Sequence, residues 1–202
     1  MGKGSIYNVP YRRRREGKTN YSLRKKLVSS GLPRIVVRKT SKHIMVQLIE
    51  PDVKGDKVVN SAHSSELRKK YGYLGSLNNL PASYLTGLLC GYRSKANNVK
   101  EAVLDIGLQI PSKGADVFGV LKGFLDAGVE VPHNEEVVPD EKRIAGTHIA
   151  KYAEQLSSNP DAYSSLFSAN IKRGLPPEKI PDHFATVKEK ITSDFKKTSR
   201  KS

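Results

Sequence analysis

Cysteine is almost missing from this 202-residue chain: Cys90 stands alone, so no intramolecular disulfide can form. That usage suits a reducing compartment. Long apolar runs are missing too, and no segment approaches the roughly 20 consecutive apolar residues of a membrane span. The N-terminus is polar and then basic with no apolar run behind it, unlike a secretory signal. These absences lead us to expect a soluble, cytoplasmic protein.

The usual phosphate cradles are absent, since the chain holds no GxxxxGK[ST] loop and no GxGxxG turn. His43, His63, His133, His148 and His183 lack paired metal spacing, and one cysteine cannot build a Cys-rich zinc site. No metal and no cofactor is expected. Cys90 lies in a leucine-rich helical segment, where a cysteine behaves as a small buried apolar residue rather than a nucleophile.

Acidic charge is scarce at the two ends. Residues 1–50 hold 13 Lys/Arg against Glu16 and Glu50, a net of +11. Residues 188–202 hold six against Glu189 and Asp194, a net of +4. The 137 residues between them carry 16 charges of each sign. A neutral core with cationic ends suits a folded domain whose ends lie on a polyanion. Nucleic acid leads, because phosphates reward clustered cations through counterion release. Polybasic ends also serve anionic membrane surfaces, so charge alone leaves that alternative open.

Residues 1–31 read as a basic arm, disordered in the free protein, because Tyr11–Lys18 has no apolar periodicity to bury. Tyr7, Tyr11 and Tyr21 alternate with the cations, a pattern suited to stacking on unpaired bases. A short basic helix over Tyr21–Leu27 is expected to break at Ser29-Ser30-Gly31. Three β-rich runs follow, RIVVRKT (34–40), HIMVQLIE (43–50) and KVVNSA (57–62), joined closely enough to form an antiparallel meander. The period then changes. A helix starts at Pro81 with Leu85, Leu88, Leu89 and Tyr92 on one side. AVLDIG (102–107) reads as a buried central strand, and ADVFGVLKGFLDAG (115–128) as an amphipathic helix ending at Gly128. VEVP (129–132) completes a right-handed βαβ unit as a fifth strand. Within that helix GVLKG (119–123) suits close packing.

Beyond Asp140 the chain looks helical. One helix carries Ile144, His148, Tyr152 and Leu156. Another runs from Asn159-Pro160 to Gly174. A last one carries Phe184, Val187 and Ile191, followed by a basic tail. The length fits one ordinary domain with tails. We divide it into an arm at 1–31, a core at 32–139, a helical extension at 140–187 and a tail at 188–202.

One enzymatic reading competes. A mixed sheet can hold carboxylates around magnesium, as in a metal-dependent nuclease. Only Asp105 sits on a strand, whereas Glu135, Glu136, Asp140 and Glu141 fall where acids cap helices. One carboxylate does not make a two-metal site.

GKTNYSLRKKL (17–27), LPRIVVRKTSKHIMVQ (32–47), PASYLTGLLCGYRS (81–94), AVLDIGLQ (102–109) and GADVFGVLKGFLDAGVEVPHNEE (114–136) together resemble a ribosomal family. So do DEKRIAGTHIAKYAEQL (140–156) and LFSANIKRGLPPEKIPDHF (166–184). The family is the large-subunit ribosomal protein that binds 5S ribosomal RNA, in its archaeal-type form, and the resemblance spans nearly the whole chain. It implies an α/β fold, a three-layer domain with a five-stranded mixed sheet of ribonuclease H-like topology but no catalytic acids. It also implies binding of 5S rRNA, docking onto large-subunit rRNA in the central protuberance, and a second 5S rRNA-binding protein as neighbour. Neither a membrane nor a small-molecule substrate is implied. On this basis Arg12, Arg13, Arg14, Arg15 and Lys18 are expected phosphate contacts, with Thr19, Asn20 and Tyr21 near sugars or bases. Arg24, Lys25 and Lys26 continue that stripe. Arg38, Lys39, Lys42 and His43 represent the folded domain, and Arg93 and Lys95 are further candidates beside Asn97 and Asn98.

Overall fold

The computed structural model describes residues 4–199. Residues 12–15, expected to be disordered, form a single helical turn, α1 (Arg12–Arg15), none of it buried. The expected basic helix is α2 (Tyr21–Ser29), one turn-fraction longer than read. The Asn20 side chain accepts the Leu23 N–H at 3.1 Å and fixes its start. Gly31, at φ +71°, turns the chain away from it.

The meander forms as read. β1 (Arg34–Lys39), β2 (Ile44–Glu50) and β3 (Lys57–His63) pair antiparallel, with Val37 opposite Val46 and Val46 opposite Ala62. Alternation sends Ile35, Val37, Ile44, Val46 and Leu48 into the core. A register shift between Leu48 and Ile49 interrupts the β2–β3 ladder. β4 (Val103–Asp105) joins β1 in parallel, and the order is β3-β2-β1-β4.

The sheet therefore has four strands, where five were expected, and β4 is its edge strand rather than a central one. The 129–132 segment contributes one parallel bridge, Glu101 to Glu130. Pro132 has no N–H to continue a ladder. Val129 and Val131 still point into the core, leaving Glu130 outside.

α3 (Ser64–Tyr71) follows β3 without a linker, and the sequence reading missed it. Its cap is unusual: the His63 ring accepts the Ser65 N–H, and Glu66 reaches back to the His63 N–H at 3.0 Å. α4 (Leu80–Ala96) starts at Asn79, whose side chain accepts the Ala82 N–H, with Pro81 in the first turn. α5 (Asp116–Ala127) ends on Gly128 at φ +90°.

α4 and α5 cross at near-contact of their backbones. A β-carbon on Gly123 would stand 2.5 Å from both Leu88 N and Tyr84 O, and one on Gly87 would strike Val120 O. These glycines serve packing, as GVLKG suggested. Cys90 lies in this layer, fully buried, its thiol pushed up to about 12 by burial. A thiol in that state is no nucleophile at neutral pH.

The expected single helix after Asp140 is two, α6 (Glu141–Ala145) and α7 (Thr147–Leu156). Gly146, at φ +87°, breaks them, and Tyr152 is half exposed as a result. Asp140 makes no side-chain cap. The next helix is likewise divided, into α8 (Pro160–Leu166) and α9 (Ser168–Ile171), before Gly174 turns the chain.

α10 (Ile180–Ser199) absorbs most of the expected tail. Residues 200–202 of that tail, like residues 1–3 of the arm, lie outside the described residues. α10 buries Phe184, Val187 and Ile191, each contributing about 1.5–3 kcal/mol as an upper bound. Against α4 it sets Phe184 on Tyr84 (ring centroids 5.6 Å) and Phe195 on Tyr92 (5.2 Å, stacked). His183 stacks on Tyr73, and its Nε2 accepts the Leu74 N–H at 3.0 Å. The boundary drawn at residue 188 thus falls inside a docked helix. Among the described residues, no helix is long and apolar enough to cross a membrane.

Candidate nucleic-acid interface

Strand alternation gives the sheet two different faces. Ile35 and Val37 face the helices, so Arg34, Val36 and Arg38 face away from them. Residues 13–24 lie over that second face. Between them is a cleft of about 640 Å³ lined by Arg13, Lys18, Thr19, Asn20, Arg24, Arg38 and Lys39, with Gln109 at its rim. Seven of the residues singled out from the sequence, separated by up to 26 positions, thereby share one concave surface.

The arm's charges have partners. Glu16 accepts from Arg12 Nε at 2.8 Å and from Lys18 Nζ at 3.0 Å. Those two hydrogen bonds, Arg12's first, hold the Glu16 carboxyl below the usual carboxylate range. Of the four arginines, Arg12 thus has an acidic neighbour within the arm. Arg13 Nε donates to Thr19 Oγ1 at 2.8 Å. Tyr11 and Tyr21 pair with each other, ring centroids 4.9 Å apart. Arg14, Arg15, Lys25 and Lys26 are exposed outside the cleft.

On the sheet, Arg38 Nη1 donates to Gln47 Oε1 at 2.9 Å, and Lys39 pairs with Asp116 at the start of α5. Lys42 is exposed on the β1–β2 turn. His43 stands apart: its ring lies 4.9 Å from His63, with Nδ1 3.3 Å from Ser64 Oγ. Burial first, then repulsion from its basic neighbours, lowers its pKa, so His43 is neutral near pH 7. It was expected to join the basic surface, and it adds no charge there.

Arg93 is also placed differently from expectation. Its guanidinium forks onto Glu66, Nη2 to Oε2 at 2.6 Å and Nη1 to Oε1 at 3.3 Å, and donates to the Ser61 carbonyl. Burial alone would push the Glu66 carboxyl up, but Arg93 and the His63 N–H outweigh it and the net shift is downward. Arg93 thus ties α4 to β3 and α3, whereas Lys95 is exposed near the end of α4.

Asp105, the one strand carboxylate of the nuclease reading, is fully engaged. Arg34 Nη1 donates to its Oδ2 at 2.8 Å, and the Gly107 N–H to its Oδ1 at 3.0 Å. Among the described residues, no group of three His, Cys, Asp or Glu side chains is arranged to hold a metal ion. Arg34 itself, only 3% exposed, was passed over as an ordinary strand residue. Its signal was available, since Arg34 and Arg38 are four apart on one strand and must share a face.

The fold and this face define an α/β protein with a cationic concave surface between its arm and its sheet. Residues 5–101 and 93–134 match the family described as ribosomal large subunit proteins 60S L5 and 50S L18. The chain is also similar to the large ribosomal subunit protein uL18 of Staphylothermus marinus, 51% identical over 197 residues, which covers 97% of this chain and 98% of that protein. The chain belongs to this family of large-subunit ribosomal proteins, whose place is the ribosome in the cytoplasm.

Proposed function

We propose that the protein binds 5S rRNA and holds it against large-subunit rRNA in the central protuberance, beside a second 5S rRNA-binding protein. The observation that carries this reading is the cationic cleft between the arm and the open sheet face. Phosphates would enter on Arg13, Lys18, Arg24, Arg38 and Lys39, where planar guanidinium forks match phosphate oxygens. Thr19, Asn20 and Tyr21 line or border the same path. Arg12, Arg14, Arg15, Lys25, Lys26, Lys42 and Lys95 would extend the electrostatic footprint outside it. The arm at 1–31 and the α/β core at 32–139 act together here, and the segments at 140–187 and 188–202 do not line the cleft. The strand order β3-β2-β1-β4, with the 129–132 segment outside β4, supports a ribonuclease H-like topology for the sheet. The mechanism is binding without turnover.

The test is a titration of the purified chain against 5S rRNA at several salt concentrations, with transfer RNA as competitor. Binding that survives excess transfer RNA is expected. Binding that transfer RNA abolishes would overturn the assignment and leave only a cationic surface.

A further inference from the structure

α2 has a thin apolar face on the domain: none of its residues is fully buried, but Tyr21, Leu23, Leu27 and Val28 are partly covered. A chain of ion pairs that begins in the core also reaches it. Arg34 lies under the cleft and donates from Nη1 to Asp105 and from Nη2 to Asp56 Oδ2, both at 2.8 Å. Among the described residues its Nε has no acceptor, so these two acids set the plane of the guanidinium. Asp56, at the end of the β2–β3 turn, offers its other oxygen, Oδ1, to Arg24 Nη2 on α2 at 2.9 Å. One carboxylate therefore joins a buried arginine of the sheet to an arginine of the arm.

We propose that Asp56 is a positioning residue for RNA recognition: it sets α2, and with it Arg24, at a fixed distance from Arg38 and Lys39 across the cleft. This rests on the reading that the cleft takes RNA. An acid at this place is otherwise unfavourable, because it repels phosphate. Its benefit is preorganisation, since an arm already ordered loses less conformational freedom on binding. The two effects have opposite signs, which makes the proposal decidable. If Asp56 is only a surface charge, removing it tightens binding to every RNA. If it positions α2, removing it weakens binding to 5S rRNA and erodes discrimination against transfer RNA.

The experiment uses the full-length chain carrying Asp56→Asn, Asp56→Glu or Arg24→Lys. Arg24→Lys keeps the cation on α2 and leaves Arg34 with both acids, so it cannot strand a buried charge even where Asp56→Asn fails to fold. Two readouts are taken: trypsin cleavage after Lys25 and Lys26 in the free protein, followed by mass spectrometry, and 5S rRNA affinity with its salt slope. For Asp56→Asn we expect faster cleavage at both sites and about tenfold weaker 5S binding at an unchanged salt slope, with Asp56→Glu restoring part of both. For Arg24→Lys, because the Arg24 guanidinium itself lies in the cleft, the readout is the cleavage rate, which is expected to rise. Unchanged cleavage overturns the latch. Faster cleavage with equal or tighter 5S binding overturns its role in recognition. A wild-type chain that shows no preference for 5S rRNA overturns the proposed function instead, and the cleavage pattern still judges the latch.

Discussion

Replacing Arg12, Arg13, Arg14 and Arg15 together by alanine tests how the arm uses its charge. Successive residues of a helical turn point about 100° apart, so the four side chains of α1 span the whole circumference. A phosphate backbone on one side can meet about three of them. Each phosphate neutralised contributes about 0.7–0.9 to the slope of log affinity against log salt. The variant should therefore flatten that slope by about 2–2.7. Because nothing in α1 is buried, the core should be indifferent: a surface change of this kind moves stability by about 0.5 kcal/mol or less, or at most about 2 °C in Tm. The assay is filter binding to 5S rRNA between low and moderate salt, with a thermal melt of each protein. A slope that changes by less than about 0.5 would refute the claim that the arm neutralises phosphates. A large fall in Tm would refute the claim that α1 is independent of the core.

Three further outcomes follow from the packing. Gly123→Ala drives a methyl into the backbone of α4 and should cost about 2 kcal/mol, lowering Tm by about 4–8 °C, as a melt will show. Arg93→Ala removes a forked, half-buried partner from Glu66 and should cost about 1–3 kcal/mol in chemical denaturation while leaving the salt slope of RNA binding unchanged. His183 is held below its ordinary pKa, by burial first and then by Lys190, so the folded state prefers the neutral ring that accepts from Leu74. Its contribution is complete above about pH 6.5 and is lost as pH falls, because the unfolded chain takes the proton more readily. His183→Gln keeps an acceptor without titrating. It should remove part of the loss of stability between pH 7 and 5, with His43 and His148, shifted the same way, supplying the remainder.

Local pattern revealed most of the frame. The β-branched runs gave β1 to β3, Pro81 gave the start of α4, and Gly128 gave the end of α5. What pattern could not reveal was settled by contacts distant in sequence. Arg93 looked like a surface cation because Glu66 lies 27 residues away. Asp56 carried no signal in the sequence, because both of its arginines, 22 and 32 residues distant, arrive through the fold. Other errors were local and avoidable. Gly146 stood inside the expected helix after Asp140, and a glycine there can take the left-handed conformation that splits α6 from α7. Pro132 likewise argued against a full fifth strand. His63 was not legible as a cap, since an imidazole is a rare substitute for serine or aspartate.

α10 runs unbroken for 20 residues, about 30 Å, and is pinned by rings near both ends of its docked stretch, Phe184 on Tyr84 and Phe195 on Tyr92. Lys188 and Lys190 are therefore carried on a rod with a fixed phase. A floppy tail tolerates an inserted residue without effect. Here, one extra residue between Ile191 and Phe195 would rotate everything beyond it by about 100° and take Phe195 off Tyr92. Length, as well as charge, is a heritable property of this end of the chain, and relatives that vary it should do so in steps of three or four residues.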